Sequence, residues 1–177
     1  QGIAIMVKKI SFSESEFFHN VKGTILFCYK ISDPGNLGTI IRICDAAGVS
    51  GIILSKDTVN QYNPKVVRAT MGSIFNVPIL SGSEITNAIA KMREKKIKII
   101  MADATAKKNY DALSYSIPCA LFVGNEASGL SKDILKYADE IVKIPIFGKA
   151  ESLNVAVATG IILYEMAKQT RKHTTNT

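Results

Sequence analysis

Short apolar runs of strand length alternate with segments of helical spacing along most of this chain. That alternation limits the fold more than any other feature. Thr24–Tyr29 (TILFCY), Gly51–Leu54 (GIIL), Val77–Leu80, Ile97–Ala102 (IKIIMA), Ala120–Val123 (ALFV) and Glu140–Ile144 read as strands, with Ile3–Val7 as a short one ahead of them. Continuous apolar, β-branched runs mark strands buried on both faces. Between them, Leu37, Ile40, Ile41 and Cys44 recur at helical spacing before Gly48. Pro64–Thr70 opens on a proline, Ser81 and Glu84 have capping-box spacing ahead of a helix to Lys95, and Ser131 precedes a helix Lys132–Tyr137. Ser152 opens a last helix reaching about Gln169. Such units close with right-handed crossovers. The expectation is an α/β fold, a mostly parallel sheet flanked by helices, formed by 177 residues.

Several kinds of site are missing. No apolar run reaches the roughly 18 residues of a membrane span; the longest, Val155–Tyr164, contains Thr159 and Gly160. Cys28, Cys44 and Cys119 are odd in number and widely spaced, which argues against a disulfide framework and a zinc site and for a reducing, cytoplasmic compartment. No two glycines stand as G-x-G, and Leu130 occupies the phosphate-lysine position after Gly124 and Gly129. His19 and His173 lie near opposite termini, so a triad or histidine metal site is not expected. Chemistry here must rely on Arg, Asn, Glu, Ser and backbone groups. Twenty-two Lys and Arg against fifteen Asp and Glu give +7 and favour a polyanion such as nucleic acid.

Three polar segments follow strands, at the sheet edge where open α/β folds bind ligands. In Asp33–Arg42, Asn36 reads equally as a helix N-cap or a site residue, while Arg42, flanked by Ile40, Ile41, Ile43 and Cys44, is expected to need an anionic partner. In Gly124–Ser131, the glycines suit either a plain turn or a backbone cradle, with Glu126 as its polar contact. In Ile144–Val155, Ser152 reads as an N-cap or a ligand group, and Asn154 is expected one turn inside a buried helix, in need of partners.

Together these segments resemble the SpoU family of RNA ribose 2′-O-methyltransferases, in the SPOUT superfamily. The similarity runs from about Thr24 to Met166 through DPGNLGTIIRICDAAGVSGIIL, VVRATMGSIFNVPI, LFVGNEASGLS and IPIFGKAESLNVAVATGIILYE. Ala127 stands where Gly is common and Ile146 where Met is common, and neither change removes a polar group. The resemblance implies a C-terminal trefoil knot holding S-adenosylmethionine through Gly124, Ile144 and Leu153. It implies a homodimer with RNA near its interface, no metal, and a site made by Asn36, Arg42, Glu126, Ser152 and Asn154. Ribosomal RNA is the expected substrate; transfer RNA, or a non-catalytic RNA-binding role on the same fold, is the alternative. Residues 23–170 are then the methyltransferase domain and 171–177 a polar tail. Residues 1–22, opening on Gln1, are expected as a linker or edge strand following an upstream RNA-binding domain. Lys56, Arg68 and Lys149 are expected near RNA phosphates or as ordinary surface charge.

Overall fold

In a computed structural model, which describes Gly2 and residues 6–172, seven strands form one fully parallel sheet. They are β1 (Thr24–Cys28), β2 (Gly51–Ser55), β3 (Ile79–Ser83), β4 (Lys98–Ala102), β5 (Lys108–Asn109), β6 (Cys119–Val123) and β7 (Glu140–Lys143). Their order is β3-β2-β1-β6-β4-β7-β5. The helices are α1 (Glu14–Asn20), α2 (Pro34–Ala47), α3 (Pro64–Thr70), α4 (Ile85–Glu94), α5 (Lys132–Leu135) and α6 (Val155–Lys172). A 3₁₀ turn, Ser73–Phe75, follows α3.

Two apolar layers sandwich the sheet. Leu26, Leu54, Ile100 and Leu121 share one with Leu37, Ile41 and Val66 of α2 and α3 and Ile162 and Met166 of α6. Ile25, Phe27, Ile53, Ile99 and Phe122 share the other with Phe17 of α1, Ile89 and Met92 of α4 and Ile134 of α5. β1 and β6 pair in register so that Phe27 lies opposite Phe122 and their rings stack at 4.5 Å. All three thiols are free and buried; burial pushes each one up, so none is a ready thiolate at neutral pH. Among the described residues, no helix is long and apolar enough to cross a membrane.

The main strands and helices stand where the apolar pattern puts them, with four corrections. Residues 6–10 form no strand, and residues 3–5 of the expected Ile3–Val7 run lie outside the described residues. Within the segment expected as linker, residues 14–20 form α1, which opens on a true capping box between Ser13 and Glu16 and buries Phe17 and Phe18. The supposed capping box at Ser81 fails because β3 takes that residue, paired with Leu54; Glu84 is the N-cap of α4 and makes no side-chain cap bond. Finally, α6 begins at Val155, not at Ser152.

Candidate functional site

Because every strand runs the same way, the loops after β1, β4, β6 and β7 emerge at one edge of the sheet. From β1 the chain steps outward through β2 to β3 and then crosses to the other side of β1, where β6 pairs with it; the order switches between β1 and β6, which leaves a crevice at that edge. A cavity of about 480 Å³ opens there. Asn36, Gly124, Glu126, Ile144, Ser152, Leu153 and Asn154 all line it. Arg42 does not.

The β1–α2 turn is set locally. Asp33 caps α2, its Oδ1 accepting the Asn36 N–H at 2.7 Å, and Pro34 supplies a first-turn residue that has no N–H to satisfy. Asn36 is therefore not the cap, and its amide is free to reach outward. Its Nδ2 donates to Glu126 Oε1 at 3.1 Å, and its Oδ1 accepts from Asn154 Nδ2 at 2.9 Å. Asn154 Oδ1 in turn accepts the N–H groups of Ala156 and Val157 at 2.9 and 3.3 Å. Asn154 is thus the exposed N-cap of α6, not a residue buried inside it. A single hydrogen-bonded chain runs from the start of α6 through Asn154 and Asn36 to Glu126, binding the three polar segments together.

Glu126 sits at the N-terminal end of α2. It also accepts from Ser32 N, Ser32 Oγ, Asp33 N and Asn125 Nδ2, at 3.1 to 3.3 Å. Partial burial opposes its ionisation, but the hydrogen bonds from Asn36 and from the Asp33 and Ser32 backbone outweigh it and hold the carboxyl below its ordinary range. The positive end of the α2 dipole acts the same way.

The loop after β6 is held by Asn125. Its Oδ1 accepts the N–H of Ala127 and Ser128, its Nδ2 donates to Lys30 O, and its backbone pairs with Gly129 in both directions. Gly124 is enclosed by this fold-back: a Cβ there would lie 2.2 Å from Gly129 C and 2.5 Å from Leu130 N. Only glycine lets the two backbones approach so closely.

Arg42 is exposed on α2, and Ser152 is exposed at the cavity rim. Neither has a partner among the described residues. Arg42 escapes its apolar neighbours because Leu37, Gly38, Ile40, Ile41 and Cys44 turn inward while position 42 falls on the outer side of the helix. Of the three further cations, Lys56 pairs with Glu84 at 3.5 Å, whereas Arg68 and Lys149 are exposed without a partner among the described residues. Asp103, just past β4, also lines the cavity and was missed in the sequence. The same strand-end rule that marked the three segments would have found it. Its Oδ1 accepts from Thr105 N and Thr105 Oγ1. Among the described residues, no three His, Cys, Asp or Glu gather as a metal site would require.

The cavity suits a small cationic ligand with an apolar ring. Its volume is within the roughly 300–1,000 Å³ usual for such sites. Val123, Val142, Ile144, Ile146, Leu153 and Ile162 supply apolar walls, Asp103 and Glu126 supply negative charge, and Lys143 supplies one positive charge. S-adenosylmethionine, with its adenine ring, its sulfonium and its ammonium, matches that donor set.

A model of the SpoU rRNA Methylase family matches residues 23–164. The 23S rRNA (guanosine(2553)-2′-O)-methyltransferase RlmP of Bacillus subtilis is 35% identical over 145 residues, covering 80% of this chain and 57% of that protein. An uncharacterised tRNA/rRNA methyltransferase of Archaeoglobus fulgidus is 33% identical over 167 residues, covering 92% of this chain and 74% of that protein. The crystal structure of an AdoMet-bound rRNA methyltransferase from Sinorhizobium meliloti superposes with a TM-score of 0.78 at 39% identity, covering 85% of this chain and 56% of that one. The chain therefore spans little more than half the length of two of these three proteins.

Proposed function

Since the chain belongs to the SpoU rRNA methylase family, whose S-adenosylmethionine-dependent members include RNA ribose 2′-O-methyltransferases, we propose that it methylates a ribose 2′-hydroxyl of structured RNA. One observation carries the reading. Seven of the eight residues picked from the sequence line a single cavity at the C-terminal edge of the sheet, and three of them are hydrogen-bonded into one frame.

When bound there, S-adenosylmethionine supplies a methyl group already activated on sulfonium. The chain's own residues then have two tasks. Glu126, Asn36 and Asn154 lock the loops so that Gly124, Ile144 and Leu153 present a fixed surface to the donor. Arg42 and Ser152 handle the acceptor. An arginine stays protonated and so is no base. Its guanidinium instead grips the phosphate beside the reacting ribose and favours the alkoxide that forms as the 2′-hydroxyl gives its proton to solvent water. The Ser152 hydroxyl orients the ribose. We further infer that the segment after β7 threads the knot of this superfamily, consistent with α6 returning to pack in the layer of α2.

The chain works as a homodimer in this reading. Val157, Ile161 and Tyr164 fall on one stripe of α6, at spacings of four and three; Val157 and Tyr164 are exposed large hydrophobics, suited to a second copy. Arg42 lies outside its own chain's cavity, which supports an RNA site completed beside that interface. Ribosomal RNA, in the cytoplasm, is the proposed substrate, supported by the family description and the RlmP relative.

The first test is calorimetric titration with S-adenosylhomocysteine, with sedimentation of the same sample. One site per subunit of a dimer is expected. A folded dimer that binds none, with or without RNA, would sink the reading. Methyl transfer compared on ribosomal and transfer RNA then fixes the substrate.

A further inference from the structure

Away from the cavity, at the β3 edge of the sheet, a groove of about 100 Å³ runs between the N-terminal segment and the 3₁₀ turn. Its walls are aromatic and apolar: Phe12, Tyr62, Phe75 and Pro78 among them. Tyr62 anchors the N-terminal segment by donating its hydroxyl to Ile10 O, and Lys9 places its ammonium 4.7 Å from the centre of the Tyr62 ring. Phe75 is 55% exposed, although burial would be worth more to a phenylalanine than to almost any other residue. Next to the groove, α3 exposes Lys65, Val67 and Arg68, and Met71 at its end is 73% exposed with φ +50°. Left-handed backbone at a non-glycine residue carries strain, and here it presents a large side chain to solvent.

The charge around this surface identifies its occupant. From Thr58 to Ser83 the chain has no Asp or Glu, its longest such stretch, and none precedes Glu14. These two stretches build the groove, and they carry Lys8, Lys9, Lys65 and Arg68. Neither Lys65 nor Arg68 has a partner among the described residues. Asp45 accepts from Asn76 Nδ2 of the groove wall at 2.9 Å, and Glu16 accepts from Ser13 N. A second copy of the chain would be served better by the uncharged α6 stripe. An exposed phenylalanine, flanked in sequence by an acid-free stretch whose Lys65 and Arg68 have no partner among the described residues, is the composition of a surface for single-stranded nucleic acid, where bases stack and phosphates pair.

We propose that this groove binds unpaired nucleotides of the RNA substrate, one base stacking on Phe75 and the flanking phosphates meeting Lys9, Lys65 and Arg68. The inference rests on the RNA reading above and adds a second contact point to it, separate from the reacting ribose. It would let the protein recognise a single-stranded stretch of the substrate at a distance from the target nucleotide.

The test is fluorescence anisotropy with a labelled, unstructured 12-nucleotide RNA, for the wild type, Phe75→Ala, Phe75→Trp and the double variant Lys65→Ala/Arg68→Ala. Phe75→Ala is expected to weaken binding about tenfold, given the usual size of base stacking, and Phe75→Trp to restore it. The double variant should lower the slope of log affinity against log salt by about 1.4, the release expected from two single-strand phosphate contacts. S-adenosylhomocysteine affinity and melting temperature should not change in any of them. Wild-type binding that all variants retain overturns the groove and leaves the RNA reading intact. No wild-type binding overturns the groove as well, while the methyltransferase reading stands or falls on S-adenosylhomocysteine binding and methyl transfer to structured RNA. Loss of the dimer in Phe75→Ala would assign the groove to a second copy and overturn the proposal as well.

Discussion

The two halves of the candidate site differ in how they are bonded. Glu126, Asn36 and Asn154 find their partners within the chain and tie three loops into one frame. Arg42 and Ser152, assigned to the same site, are exposed and have no partner among the described residues. A polar group that the fold satisfies contributes to the fold, whereas one left open at a cavity rim is available to substrate or to another subunit. The difference separates a donor-shaping half from an acceptor-handling half, and it makes opposite demands on mutants of each.

The largest effect is expected at Arg42. Arg42→Ala should reduce methyl transfer by about 10²–10³-fold, the usual cost of removing a group that stabilises developing charge. Because nothing among the described residues leans on its guanidinium, melting temperature and S-adenosylhomocysteine affinity should stay at the wild-type values. Single-turnover kinetics beside a calorimetric titration check both. If cofactor affinity falls together with turnover, Arg42 belongs to the donor half and the division fails.

Gly124→Ala tests the donor half. Its Cβ would collide with backbone atoms of Gly129 and Leu130, which cannot swing aside as a side chain can. Forcing extra atoms into a packed site costs about 1–3 kcal/mol. Thermal melting should show that loss, and cofactor binding should go with it. Asn154→Ala comes next. It removes the N-cap of α6 and the link to Asn36, with a cap alone worth about 1 kcal/mol. Ser152→Ala, two residues away, should leave melting unchanged and lower only turnover. Equal melting losses in the two variants would erase the contrast between the halves.

How far each half could be read in the sequence follows from the same difference. The strands were legible because they are buried apolar runs, and α3 because Pro64 marks its start. The three loops were legible as strand-end polar clusters. Which side chain did what was not. Ser152 and Asn154 are both N-cap residue types. What selects Asn154 is a bond to Asn36, 118 positions away, which no local pattern carries. Arg42 is expected to need an anionic partner because its neighbours are apolar, and only its helical phase shows that it stands outside them. The capping box at α1 had the right spacing at Ser13 and Glu16, yet the same spacing at Ser81 and Glu84 was empty, since strand pairing with Leu54 takes Ser81 first. β5 is two residues long and has no apolar signal at all.

The smallest effect is electrostatic and concerns Glu126. Its folded carboxyl loses its proton more readily than an unfolded glutamate, whose value is about 4.3. The folded state is therefore favoured wherever the pH is above that value, and the advantage disappears as the pH drops through the lower folded value. Glu126→Gln removes the titration but keeps one acceptor oxygen. Asp139, held low by the Ile99 N–H and by Arg93 despite partial burial, and Glu140, held low by Lys108, still titrate in that variant. Both proteins should thus lose stability in acid, the wild type more steeply. Since Glu126 is largely exposed, the gap at neutral pH should not exceed about 1 kcal/mol, or roughly 2–4 °C in melting temperature, and should narrow as the pH falls below the unfolded glutamate's value. Melting curves from pH 3 to pH 7 measure it. A constant gap across that range would mean that the Glu126 charge is not part of the frame and that its hydrogen-bonding shape alone holds the three loops.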